Sequence, residues 1–222
     1  MDIDRKTAFA VLLDVEKNEA FSNLALNRRI EENQPQNPVY GVLKYQLLLD
    51  YQLDKLVKSG SKKLKKQDLT LLRMGLYQLT FMDAVPEYAA VSETVQLAKK
   101  YARGRENFIN AVLRNFIRGG RKLQLPERAA DLVTHLSVAY SIAPWVVRLW
   151  LAAYGEAQTE QLLAASNQTP ALCVRVNPLR TTVPQLTQEL QRAGFTVMRA
   201  PAAARMRRRK RKSAACSATR HL

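Results

Sequence analysis

The sequence predicts a mainly α protein: a helical bundle, then linker helices, then an incomplete β-α-β unit. Three observations carry this. Apolar residues recur at three- and four-residue spacing as far as Ser166, the period of a helix with one buried face. From Ala171 to Asn177 (ALCVRVN) the period changes to the alternation of a strand. Hydrophobic residues make up 47% of the 222 positions and charged ones 24%, a globular balance with length enough for a core.

Asp4 to Lys17 reads as the first helix, with Asp2 or Asp4 as N-cap and Ala8, Val11, Leu12 and Val15 inward. Arg5 and Lys6 stand at its start, where the helix dipole disfavours cations. Phe21 to Ile30 reads as a second helix, capped by Ser22 and ending near Arg28 and Arg29. A polar, proline-bounded loop covers Glu31 to Pro38. Val39 to Lys58 is helical, either as one helix or as two divided near Gly41 or Asp50, and Gly60 ends it. Lys62, Lys63, Lys65 and Lys66 then form a solvated linker.

The next fifty residues are the densest. Leu69 to Met82 carries an apolar stripe at Leu69, Leu72, Leu76 and Leu79, and Asp83 and Pro86 stop it. Tyr88 to Tyr101 repeats the rhythm at Val91, Thr94, Val95 and Ala98, and Gly104 breaks it. Glu106 to Arg118 buries Phe108, Ile109, Val112, Leu113 and Phe116, leaving Arg114 and Arg118 on a solvent face before Gly119 and Gly120. Arg128 to Leu136 and Trp145 to Ser166 are helical, and Trp145, Val146, Leu149, Trp150 and Tyr154 make an apolar face that needs cover. Beyond the first strand come a turn, a helix over Val183 to Ala193, Gly194, and a second strand over Phe195 to Met198. Alone, such a unit leaves its sheet edges unpaired and implies more domain.

The net charge of +16 is uneven: residues 200–222 hold eight Lys/Arg and no acid, and sixteen less eight leaves +8 for the rest. That body still favours a polyanion such as RNA. The tail reads as a basic RNA-binding arm, a targeting signal, or translation in a shifted frame. Its abrupt loss of periodicity after an unfinished β-α-β favours the shifted frame, with no ordered structure. No apolar run is long enough to span a bilayer, and Asp2, Asp4, Arg5 and Lys6 do not open a signal peptide. Cys173 and Cys216 give neither metal spacing nor a disulfide framework, so a cytoplasmic setting without metal is expected.

Three blocks in order, RMGLYQL (Arg73 to Leu79), VPEYAAVSETVQLAKKYA (Val85 to Ala102) and FINAVLRNFIR (Phe108 to Arg118), resemble the signature of the NusB-like helical domain. The forms GLYQL, PEYAAVSETV and NAVLRNF, with YGVLK (Tyr40 to Lys44) and RVNPLR (Arg175 to Arg180), are more narrowly similar to the amino-terminal region of bacterial 16S ribosomal RNA cytosine-C5 methyltransferases of the RsmB (Sun, Fmu) type. The run from Ile30 to Tyr40 is shorter than the family's helix there. The resemblance implies a NusB-like all-α RNA-binding domain over 1–122, a helical linker over 123–169, and a partial ferredoxin-like β-α-β over 170–199, followed by the basic tail 200–222.

The resemblance also implies S-adenosylmethionine chemistry for a full-length relative, held by a glycine-rich loop and two cysteines, one of which attacks cytosine C6 as a thiolate. Cys173, on the first strand, is expected as a buried small apolar residue; Cys216 has an alanine where the family's motif has proline. With no glycine-rich loop, this chain is expected to bind no cofactor and to be catalytically inactive. The candidate RNA contacts are Lys99, Lys100, Arg103, Arg105, Asn110, Arg114, Arg118 and Arg121, with Arg5 and Lys6 as additions. Arg28 and Arg29 belong with that second group. Asn107 is expected as an N-cap, Asp83 and Glu87 as turn and cap residues, and Glu93 as a partner of Arg73. His135 and His221 have no acid or cysteine at useful spacing. The expected partner is ribosomal RNA. The alternatives are a free-standing NusB-like antitermination factor, which would add a ribosomal-protein partner, and a helical protein-interaction scaffold.

Overall fold

In a computed structural model, residues 3–18, 38–168, 172–199 and 215–220 are described. The predicted helix over Phe21 to Ile30, with Arg28 and Arg29, and the loop before Pro38 lie outside them. The chain divides into two compact units, Met1–Ser166 and Asn167–Leu222.

The first unit is built around one helix. α1 covers Ile3–Asn18; α2, Val39–Lys44; α3, Gln46–Leu56; α4, Lys66–Phe81; α5, Glu87–Tyr101; and α6, Glu106–Arg118. The sequence gives α4 one apolar stripe, but the helix is buried on all sides, from Asp68 through Gly75 to Leu79. The polar Asp68, Thr70, Arg73 and Gln78 are buried along with the apolar stripe, because α1, α2, α3, α5 and α6 all pack against this helix. Gly75 permits the close approach of α6, since a Cβ there would stand 2.8 Å from Leu113 Cδ1. The core unites Phe9, Leu49, Leu53, Leu72, Leu76, Leu97, Ile109 and Leu113 with their neighbours.

Of the two readings of Val39 to Lys58, one helix or two, the structure has two, and the break falls at Tyr45 (φ −101°, ψ 19°) rather than at Gly41 or Asp50. The ring of Tyr45 stacks on Phe81, with centroids 4.2 Å apart, and Tyr77 lies alongside. Asp50 is kept in mid-helix because Arg73 of α4 faces it. The residue anticipated as the partner of Arg73, Glu93, is replaced in that role by Asp50 and Glu16.

α7 spans Leu132–Tyr140, four residues later than the sequence suggests, because Asp131 is the true cap: its carboxylate accepts from the Thr134 amide at 3.0 Å. α8 covers Pro144–Ser166 but breaks at Gly155, whose φ of 74° and ψ of 176° are not helical. Leu136, Val147 and Leu163 form a second small core joining α7 to the two arms of α8. Trp150 packs there, whereas Trp145, Leu149 and Tyr154 stay exposed, so the expected burial of that whole face does not occur. Gln52 of α3 grips the segment after α6, donating to the Gln124 carbonyl at 2.7 Å and accepting from its amide at 2.8 Å. No single described helix is long and apolar enough to cross a membrane.

The second unit contains β1 (Leu172–Arg175), α9 (Val183–Arg192), β2 (Phe195–Arg199) and β3 (Ala215–Arg220). The sheet order is β1-β3-β2, with β3 antiparallel to both neighbours. This is a split β-α-β. β3 corrects the expectation of a tail without order: β1 and β2 each leave an edge of unpaired amides, and 215–220 satisfies both by lying between them. The expected frame shift stays an inference about the coding sequence, on which the strand has no bearing. Cys173 is also corrected, being exposed rather than buried. It alternates with the half-buried Val174 along β1, as strand geometry requires.

Candidate nucleic-acid interface

α6 is amphipathic in a way that leaves a distinctive outer face. Ile109, Val112, Leu113 and Phe116 are buried, so Asn107, Ala111, Arg114, Asn115 and Arg118 are exposed and Asn110 sits at the margin. The only acid of the helix, Glu106, is in its first turn. From Asn107 to Arg118 this acid-free surface runs about 16 Å at the helical rise. Arg114 and Arg118 make no ion pair among the described residues, which leaves both guanidinium groups available to phosphates. Asn107 is not the N-cap its position in the sequence suggests; Arg105 occupies that place, and Asn107 joins the outer face. Asn115 was missed, although its spacing from Asn107, Ala111 and Arg118 places it there.

α5 lies against α6, and both lie against α4, so their outer faces are neighbours. At the end of α5 and in the turn after it, Lys99, Lys100 and Arg103 are exposed. Lys100 extends over the Tyr101 ring, 5.5 Å from its centroid. These cations gather beside the start of α6.

Two arginines singled out in the sequence have structural partners. Arg105 donates from Nε to Asp68 Oδ2 at 3.0 Å and covers the Phe108 ring at 4.2 Å. Asp68 is only 2% exposed on the first turn of α4, so Arg105 compensates a buried carboxylate. Arg121 ties three helix ends together. Its amide donates to the Phe116 carbonyl at 3.1 Å, its Nη1 to the Leu79 carbonyl at 3.3 Å, and its Nε pairs with Glu87 at 3.3 Å. These contacts hold a φ of 55°, uncommon for a residue with a Cβ. Arg5 likewise turns inward, donating to Gln78 Oε1 at 2.8 Å, while Lys6 is exposed on α1.

Of the ten candidates, Lys99, Lys100, Arg103, Asn110, Arg114 and Arg118 therefore form one α5–α6 surface, Arg105 and Arg121 brace it, and Arg5 and Lys6 are on another helix. His135 is structural: Nδ1–H donates to the Pro126 carbonyl at 2.7 Å. No group of three or more His, Cys, Asp or Glu side chains among the described residues has metal-holding geometry. Nor do those residues fit S-adenosylmethionine. β1 leads into Asn177, Pro178 and Leu179, a turn closed by the Asn177 side chain accepting from the Leu179 amide, with no glycine to let a nucleotide approach the backbone.

The NusB family matches residues 2–118, and the ferredoxin-like domain of RsmF/B-like methyltransferases matches residues 143–206. A probable ribosomal RNA small subunit methyltransferase B of Synechocystis sp. is 32% identical over 86% of this chain and 45% of its own length. A transcription antitermination protein NusB of Lacticaseibacillus casei is 34% identical over 51% of this chain and 90% of its own. The solved structure described as "Crystal Structure of PH0851" superposes on the whole chain and 50% of itself, with a TM-score of 0.63 at 15% identity, a likeness of fold. The chain thus spans less than half the length of the methyltransferase it matches. It belongs to the NusB family, in the form that continues into an RsmF/B-type ferredoxin-like domain, as the amino-terminal region of the RsmB-type methyltransferases does.

Proposed function

We propose that the chain is the RNA-binding amino-terminal part of a small-subunit ribosomal RNA methyltransferase of the RsmB type. It grips structured RNA through phosphate contacts from α5 and α6. The observation that carries this is the outer face of α6, where Arg114 and Arg118 stand among Asn107, Asn110 and Asn115 with no exposed acid after the first turn. Guanidinium groups supply charge to phosphates, and amides donate to phosphate, sugar or base edges without adding charge. Lys99, Lys100 and Arg103 continue the surface past the end of α5.

No step of methyl transfer is assigned to these residues. S-adenosylmethionine and the nucleophilic thiol belong to the portion of the relatives that the chain does not span. Support for the methyltransferase reading over a free-standing antitermination factor comes from the ferredoxin-like match over 143–206, which lies beyond the NusB family's own span.

The test is a salt titration of binding to a structured ribosomal RNA fragment. The logarithm of the affinity should fall linearly with the logarithm of salt concentration, and R114A and R118A should each reduce the slope by about 1. Absence of binding at low salt, or an affinity indifferent to salt, would overturn the reading.

A further inference from the structure

At the other end of the α5–α6 pair, the most exposed aromatic side chain among the described residues, Tyr88, stands 75% open to solvent. Its position is fixed indirectly but firmly. Glu87, its neighbour in the first turn of α5, pairs with Arg121, and Arg121 follows the end of α6 and reaches the last turn of α4. Because α5 and α6 are joined by a short turn and packed on each other, the start of α5 lies beside the end of α6, where Arg118 and Lys122 are exposed. Tyr88 also shares the outer face of α5 with Ser92, Gln96 and Lys99, at spacings of four, eight and eleven residues.

Two features distinguish this ring from an ordinary exposed tyrosine. The acid beside it, Glu87, is paired with Arg121, and Arg118 and Lys122 are exposed at the neighbouring end of α6. The residues that share the ring's face of α5, Ser92, Gln96 and Lys99, include no acid, and the one acid next to it in the chain, Glu87, is paired. A flat ring presented among cations, and continuous with a phosphate-binding face, suits a base whose own face is free. A fully paired helix offers none, since its bases are stacked inside.

We infer that Tyr88 is a stacking platform for an unpaired RNA base, held there while Arg118 and Lys122 contact the flanking phosphates. This inference rests on the RNA-binding reading above and narrows its ligand to RNA carrying at least one unstacked nucleotide. A scaffold role, with a protein covering Tyr88, is the competing outcome.

Anisotropy titrations of the full chain with two RNAs, a fully paired duplex and a hairpin with an unpaired loop, separate these. Tyr88→Ala should weaken binding of the loop RNA about tenfold, the scale of one stacked base, and leave duplex binding unchanged. Tyr88→Phe and Tyr88→Trp should retain the parent affinity, because the flat ring is what the base meets. An unchanged thermal midpoint for Tyr88→Ala checks that the fold is intact. If Tyr88→Ala binds the loop RNA as the parent does while Arg118→Ala weakens both RNAs, the stacking inference is wrong and the RNA-binding reading stands. If neither RNA binds the parent, both fall.

Discussion

Arg73 of α4 and Asp50 of α3 meet fork to fork, Nε on Oδ1 at 2.6 Å and Nη2 on Oδ2 at 2.7 Å, while Nη1 reaches Glu16 of α1 at 2.8 Å. One guanidinium thereby links three helices of the bundle. Burial opposes the charge on Arg73, but hydrogen bonds to Asp50 and Glu16 more than offset it and raise its pKa. For Asp50 burial is the largest influence and pushes the carboxyl up, against the lowering by Arg73. The cluster holds two acids to one base, so its integrity depends on the arginine.

Arg73→Ala should therefore cost about 3 kcal/mol, because it strands two carboxylates in a site made for a cation. Replacing Arg73 and Asp50 together by Met and Leu should recover much of that loss. Urea denaturation of the single and double variants measures both; equal midpoints for the two would show that the pairing carries no energy.

Arg105 and Arg114 should part company in the same pair of assays. Arg105→Ala leaves the buried Asp68 without its partner and should cost about 2 kcal/mol of stability. Arg114→Ala should leave the denaturation midpoint in place and lower the salt slope of RNA binding instead. The reverse pattern would reassign both residues.

Gly41 and Gly75 test the close approaches to α4. A Cβ at Gly75 would lie 2.8 and 2.9 Å from the two methyls of Leu113, a fully buried residue. A Cβ at Gly41 would collide with the Tyr77 ring, which packs alongside the Tyr45–Phe81 stack. Alanine gains helix propensity of about 1 kcal/mol at such positions, but overpacking costs about 1–3 kcal/mol. Both variants should be destabilised, Gly41→Ala the more, because a stacked ring yields less readily than a leucine rotamer. Thermal melts that rise for either would show that the neighbour gives way freely.

The parts of this fold legible in the sequence are those in which one helix face decides the outcome. α6 keeps its apolar and polar residues on opposite sides, and its candidate cations could be placed from spacing alone. α4 hid its role because the residues it buries outside the apolar stripe, Asp68, Thr70, Arg73 and Gln78, are polar and look like a solvent face. The break at Gly155 was illegible because Ala152, Ala153, Glu156 and Ala157 around it are good helix formers. Arg105 and Arg121 read as surface cations because their partners, Asp68 and Leu79, are 37 and 42 residues away. Local pattern carries no signal for contacts at that separation.

Asp131 gives a pH prediction with a definite sign. The Thr134 hydroxyl and amide donate to its carboxylate and hold its pKa below the ordinary value of 3.8. A depressed acid binds fewer protons folded than unfolded, so its stabilisation is complete above the unfolded value and disappears as pH falls through the folded one. Asp131→Ala should then lower the thermal midpoint at neutral pH, with the gap to the parent closing as the pH is taken down through the carboxylate range. Asp131→Asn, which still caps α7 but does not titrate, should keep most of the neutral-pH stability and lose the pH dependence of that gap. A gap between Asp131→Ala and the parent that stays constant through the acid range would show that the cap works without its charge.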